Sequence, residues 1–205
     1  IVTGNDAYGT LVRAAFDKAV AAAHGTLTVA ESFTGTKTEP AATTLAAKRD
    51  QMDALLLPLG GTALQTLATQ LATKGFDPRK TRLLGTGLWD DGDFSQLAIL
   101  NGAWFATSDP EARHGFITAY TRTYGAAPPR LATLAYDATA LAAVLAKRNA
   151  GFDRTALTNP SGFAGVDGVI RLKDDGLAER ALAVMEVAPG GARVIDTALT
   201  SFAGR

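Results

Sequence analysis

The sequence predicts an α/β fold: a doubly wound, mostly parallel sheet lobe, plus helices that belong to a second, incomplete lobe. Apolar spacing alternates between strand and helix over the first hundred residues. Residues 53–58 form a continuous apolar strand of the kind found in sheets covered on both faces. After Ala106 the pattern changes to successive helices without intervening strands.

A first strand at 1–3 is followed by Tyr8, Leu11, Val12, Ala15, Phe16, Ala19, Val20 and Ala23 at helical spacing. With Asp6 as cap and Gly25 as stop, these predict a helix over about 8–23 with one face in the core. Residues 27–33 alternate as a strand, and Thr38-Glu39-Pro40 opens an Ala-rich helix to about Arg49. The third strand at 53–58 leads through a Gly60-Gly61 turn and a capping Thr62 into a helix bearing Leu64, Leu67, Ala68 and Leu71, ended by Gly75. Residues 82–86 and 102–106 supply the fourth and fifth strands.

Ser108-Asp109-Pro110-Glu111 has a capping residue, Pro at the first helical position and an acid three after Ser108, and it opens a helix with Phe116, Ile117, Tyr120 and Tyr124 on one side. A second helix, about 130–148, carries a stripe of Leu131, Leu134, Ala135, Ala138, Leu141, Ala142 and Leu145 that needs a sheet to pack on. Asn159-Pro160-Ser161-Gly162 reads as a linker or hinge. Strands at 169–172, 181–187 and 192–195 follow, separated by Asp174-Asp175-Gly176 and Pro189-Gly190-Gly191.

Composition narrows the function classes. The 205 residues fit one large or two small domains. Twenty Lys plus Arg balance twenty Asp plus Glu, so bulk charge gives no support to a nucleic-acid or anionic-membrane partner. The chain has no Cys, which removes disulfides, thiolate nucleophiles and sulfur-ligated metals, and only two isolated His, His24 and His114. His24 reads as a helix-end group meeting the last carbonyls, and His114 as a surface residue. The longest apolar stretch, 54–59, is far short of the ~18 residues a membrane span requires. Ile1 follows no basic, apolar leader and opens mid-element, as a fragment or processed product would. The nucleophile-elbow, dinucleotide, P-loop and zinc-protease motifs are all missing, and Gly85-Thr86-Gly87 is a lone G-x-G. The reading is therefore a protein that is not an enzyme and takes no cofactor or metal.

In an open parallel sheet, ligands lie outside the carboxyl ends of the strands, where loops converge and helix N-termini present free N–H groups. Three loops qualify: 4–8, 58–62 and 86–91. The first and third carry an aromatic beside an acid, Tyr8 with Asp6 and Trp89 with Asp90, a mixture suited to a small polar or zwitterionic ligand. Each residue also has a plainer role: Asp6 as helix cap, Tyr8 as a staple to the core, Gly60 and Gly61 as turn residues, Trp89 as a packed aromatic. Asp90-Asp91-Gly92-Asp93 lacks the alternating ligands and closing Glu of a calcium loop and reads as a solvated turn.

Ile1-Val2-x-Gly4-Asn5-Asp6-Ala7-Tyr8-Gly9, Phe116-x-x-x-Tyr120-x-x-x-Tyr124-Gly125-x-x-Pro128, Ala135-Tyr136-Asp137-Ala138 and Phe163-x-Gly165-x-x-Gly168 with Gly176 stand in the order and at the separations seen in one family. Together they resemble type I periplasmic solute-binding proteins of the leucine/isoleucine/valine receptor kind. The closing part, with Arg180-Ala181-Leu182-Ala183-Val184, looks most like a lipoprotein branch named penicillin-binding protein activators.

The resemblance implies two lobes joined by three hinge crossings, with 1–104 and 163–196 in the second lobe, 109–158 a helical segment of the first, and 197–205 a tail. It implies capture of a small polar solute, an amino acid or a related compound, by closure of the lobes, and delivery to a membrane transporter permease. The alternative it implies is an envelope lipoprotein that binds and activates a cell-wall synthase without a small ligand. Either way the location would be periplasmic, with any signal or lipid-attachment segment upstream of Ile1. With its partner sheet missing, the 130–148 stripe would pair with another copy or expose an apolar patch.

The resemblance also implies a ligand-binding set of Asp6, Ala7, Tyr8, Leu59, Gly60, Gly61, Gly87, Trp89 and Asp90. Tyr8 matches the family's aromatic of the first loop. Leu59 stands where an aromatic is common, and Gly87 where an acid grips a ligand ammonium, with Asp90 nearby as a substitute.

Overall fold

The computed structural model describes residues 1–90, 92, 96–148 and 151–202. The fold is mixed α/β, and its contacts divide the chain into two compact units, one of 1–106 with 185–193 and one of 107–184 with 194–205.

The first unit begins with β1 (Val2–Gly4), α1 (Ala7–Ala22), β2 (Glu31–Phe33), α2 (Glu39–Ala47), β3 (Ala54–Leu56), α3 (Gly61–Thr73) and β4 (Arg82–Gly85). β1 and β2 pair in parallel, Val2 opposite Glu31, and β4 pairs in parallel with both β3 and β5 (Trp104–Thr107). The larger sheet runs β10-β9-β5-β4-β3, where β9 is Ala183–Ala188 and β10 is Gly191–Asp196. Leu55, Leu57, Leu67, Leu71, Leu83 and Leu100 are fully buried around it. At about 25 cal/mol per Å² of apolar surface, this clustering is the main force holding the unit together.

Several local expectations are corrected. α1 buries only Gly9 outright, with Val12, Phe16 and Val20 half-buried, so its core face is shallower than its spacing implied. At the end of α1, His24 adopts the left-handed conformation (φ 55°) expected of Gly25. α3 is capped by the Gly60 backbone and not by Thr62, which lies inside the first turn. The strand expected over 27–33 is hydrogen-bonded as a strand only at its end.

The second unit contains α4 (Pro110–Tyr124), α5 (Ala132–Lys147), the short α6 (Arg154–Leu157) and an antiparallel sheet of β6 (Phe163–Gly165), β7 (Gly168–Leu172) and β8 (Ala178–Arg180). Within this unit β6 contacts α5. β6 and β8 are three residues each, too short for alternation to show in the sequence. Asp109, not Ser108, caps α4 through the Glu111 N–H at 2.9 Å. The Ser108 hydroxyl instead accepts from Arg130 at 3.2 Å.

α5 departs from a simple apolar stripe. Thr133 and Asp137 are buried, while Leu131 is 70% and Leu134 40% exposed. The Asp137 carboxylate accepts the Val166 N–H at 2.7 Å and the Asp167 N–H at 3.3 Å. It sits where a Cβ at position 165 would be, so only glycine permits this approach. Asp167, 1% exposed, accepts from the Thr133 hydroxyl at 2.9 Å and from Arg130 at 3.2 Å, with Arg180 at 3.8 Å and Arg113 at 4.0 Å. Two buried carboxylates thus gather three guanidinium groups from α4, the start of α5 and β8.

A buried carboxylate can be removed only by stranding its cationic partners. Asp167→Ala is expected to destabilise this unit by about 3 kcal/mol, whereas Asp174→Ala, whose 3.9 Å pair with Arg154 is exposed, should change stability by less than about 0.5 kcal/mol. Urea unfolding followed by circular dichroism distinguishes the two.

Candidate functional site

The three loops singled out in the sequence lie at the carboxyl ends of β1, β3 and β4, and side chains tie them together. The Tyr8 hydroxyl at the start of α1 shares a 2.9 Å hydrogen bond with Thr86 Oγ1 after β4, either oxygen being able to donate. The Trp89 indole N–H donates to the Leu59 carbonyl after β3 at 2.9 Å. Gly60 faces Leu88 at ordinary contact range: a Cβ placed on it would lie 3.6 Å from the Leu88 carbonyl oxygen.

The expected residues fall into two groups. Tyr8 (42% exposed), Ala7, Gly61 and Gly87 lie on the surface, and Gly60 and Asp90 are half-buried. Leu59 and Trp89, 5% and 1% exposed, belong to the core. Trp89 is the clearest departure from a ligand platform: residues Gly87–Trp89 form a single 3-10 turn that points its ring inward, 6.0 Å from Phe105 and directly under Gly85. A Cβ at position 85 would overlap the indole, so the glycine is required by this packing.

Asp6 acts as a cap, its carboxylate accepting the Gly9 N–H at 2.7 Å. Gly61 takes a left-handed φ of 52° as the first residue of α3. Asp90 closes the 3-10 turn, its N–H donating to the Gly87 carbonyl at 3.2 Å. Asp91 and Asp93 of the Asp90–Asp93 turn lie outside the described residues. Among the described residues no group of three or more acidic or His side chains could hold a metal ion, and no helix is long and apolar enough to cross a membrane.

Two residues of this edge were not foreseen as contacts, Thr86 and Leu88. Leu88 is 49% exposed, in the same tight turn that buries Trp89.

This arrangement of parallel strands, crossing helices and loops that meet beyond the carboxyl ends of β1, β3 and β4 is matched at the level of sequence and of structure. The family model described as periplasmic binding protein matches residues 1–192. The chain belongs to the periplasmic binding protein family. No functionally curated protein matches this family member in sequence.

Among solved structures it is similar to a protein described as a branched-chain amino acid ABC transporter from Rhodospirillum rubrum, with TM-score 0.79, 22% identity, and coverage of 95% of this chain and 59% of that one. A solute-binding protein of an ABC transporter from R. palustris, in complex with benzoate, matches with TM-score 0.67 and 20% identity over 98% of this chain and 58% of the other. A branched-chain amino acid transporter substrate-binding protein from Streptococcus pneumoniae, in complex with isoleucine, matches with TM-score 0.61 and 20% identity over 95% and 59%. The chain thus spans under two thirds of the length of these relatives, and at these identities the likeness is one of fold.

Trp89→Phe keeps an aromatic side chain but removes the N–H and part of the ring volume, leaving the buried Leu59 carbonyl without its donor. A loss of about 1–3 kcal/mol is expected, read as a lowered thermal midpoint. An unchanged midpoint would show that the indole hydrogen bond does not hold the two loops.

Proposed function

We propose that this periplasmic binding protein family member is a solute-binding component of an ABC-type transport system, taking a small polar solute at the sheet edge defined by Tyr8, Gly60, Gly61, Gly87 and Asp90. The observation that carries the reading is the joining of three loops, from β1, β3 and β4, by the Tyr8–Thr86 and Trp89–Leu59 hydrogen bonds. Loops at the carboxyl edge of parallel strands are where α/β sheets bind ligands, and here they are fixed to one another before any ligand arrives. Such preorganisation lowers the ordering cost of binding.

The relatives support the class. One is in complex with isoleucine and one with benzoate, both small molecules. The described residues of this edge bring together a hydroxyl pair, glycines and a buried indole, and the reading is of capture and release. It carries with it a location outside the cytoplasm and a permease as partner. We extend it to the Leu131–Leu145 stripe, of which Leu131 and Leu134 are exposed, as the surface through which the isolated chain would associate with a second copy.

In this reading Tyr8 has a ligand-facing role while contributing little to folding, since it is well exposed. Tyr8→Ala is expected to weaken solute affinity tenfold or more, about 1.4 kcal/mol, with the circular dichroism spectrum unchanged. Isothermal titration of the full-length protein against amino acids and aromatic acids provides the measurement. A folded protein that binds none of them would direct attention to a protein partner such as a cell-wall synthase.

A further inference from the structure

Thr86 opens the Gly87–Trp89 turn, at a position where a threonine hydroxyl ordinarily caps the turn by accepting one of its first N–H groups. It does not do so here. Its backbone is extended (φ −116°, ψ −179°) and its side chain makes no capping hydrogen bond. The hydroxyl is directed to the Tyr8 phenol, 78 positions away in the chain, at 2.9 Å. A distant partner has replaced the local one.

The two ends of this bond are held with unequal firmness. The Thr86 carbonyl accepts the Trp89 N–H at 2.9 Å, and Trp89, 1% exposed, is itself fixed by the Leu59 carbonyl. Because Thr86 is β-branched, setting its backbone leaves χ1 few alternatives, and the hydroxyl has a defined direction. Tyr8 is the looser end. It lies in the first turn of α1, a helix that buries only Gly9 outright. Among the described residues its hydroxyl has no hydrogen bond besides the one to Thr86. An exposed ring without a tether hops between staggered rotamers on the picosecond to nanosecond scale.

Resting on the solute-binding reading above, we propose that Thr86 is a positioning residue for solute capture, acting through Tyr8 by holding its phenol ring in the orientation that meets the solute. The order passes from the buried indole to the Thr86 backbone, from there to its hydroxyl, and then to the ring. With the ring already placed, little of its freedom is left to lose on binding.

The reference affinity comes from isothermal titration of the full-length protein with isoleucine and with benzoate, the compounds bound in two of the structurally similar proteins. Thr86→Val keeps the branched shape and removes the hydroxyl. It is expected to weaken binding about threefold to tenfold, the cost of ordering one free side chain. Thr86→Ser, which returns the hydroxyl, should bring affinity back to within about twofold. In a Tyr8→Phe background, where the bond is already missing, Thr86→Val should add no further loss. Nuclear magnetic resonance of ring-labelled tyrosine gives a readout without solute: Thr86→Val should shift the Tyr8 signal alone among the four tyrosines. Unchanged affinity or an unchanged Tyr8 signal in Thr86→Val would overturn this inference while leaving the solute-binding reading intact. So would an equal loss in the Tyr8→Phe background, which would mean that Thr86 acts without Tyr8. A folded, unmodified protein that binds neither compound nor any other amino acid or aromatic acid would overturn both.

Discussion

The indole of Trp89 is the constraint on which the candidate site depends. Its N–H holds the Leu59 carbonyl after β3, its ring lies against Gly85 at the end of β4, and its far side meets Phe105 of β5. One buried side chain therefore fixes the carboxyl ends of three neighbouring strands. The surface carries the rest of this turn: with Trp89 directed inward, Leu88 and Gly87 are exposed beside it. What the edge offers a ligand is decided by what the core demands of residue 89.

The second unit is organised by charge. Asp137 and Asp167 are among its most buried residues and draw Arg113, Arg130 and Arg180 around them. Such a cluster is weak support for stability by itself, because desolvation offsets much of the attraction. It is strong in specifying geometry. Asp137 can bond the Val166 and Asp167 amides only if residue 165 is a glycine and the β6–β7 turn folds back over α5. The Ala135-Tyr136-Asp137-Ala138 and Phe163-x-Gly165-x-x-Gly168 patterns, separate in the sequence, are thus two halves of one contact.

Legibility in the sequence followed the range of the interaction. Long periodic elements were legible: α1, α3, α4 and α5 lie within a few residues of where spacing placed them, since amphipathic repetition is a local signal. Caps were less so. Ser108 and Gly25 had the right chemistry, but Arg130 engages the hydroxyl of one, and the left-handed residue is His24 in place of the other. The three-residue strands β6 and β8 carry no period at all and exist because β7 lies between them. Which residues group into a unit depended on Asp137 and Asp167 meeting partners about thirty positions away, and nothing in local pattern reports that.

The candidate site shows the same division more sharply. The meeting of the three loops was legible because topology places βα loops at the carboxyl ends of parallel strands, and the cap at Asp6 because its spacing to the helix is local. The direction of each side chain was not. Tyr8 and Trp89 look alike as aromatics in adjacent loops, yet one is 42% and the other 1% exposed. The difference lies in their backbones: Tyr8 is in the first turn of a helix that rests only lightly on the core, whereas Trp89 ends a tight turn next to a glycine that leaves room for an indole. An aromatic in a βα loop is therefore ambiguous until the residue facing it across the strand end is known. Here that residue is Gly85, and the space it leaves is filled by the Trp89 indole while Leu88 of the same turn stays exposed.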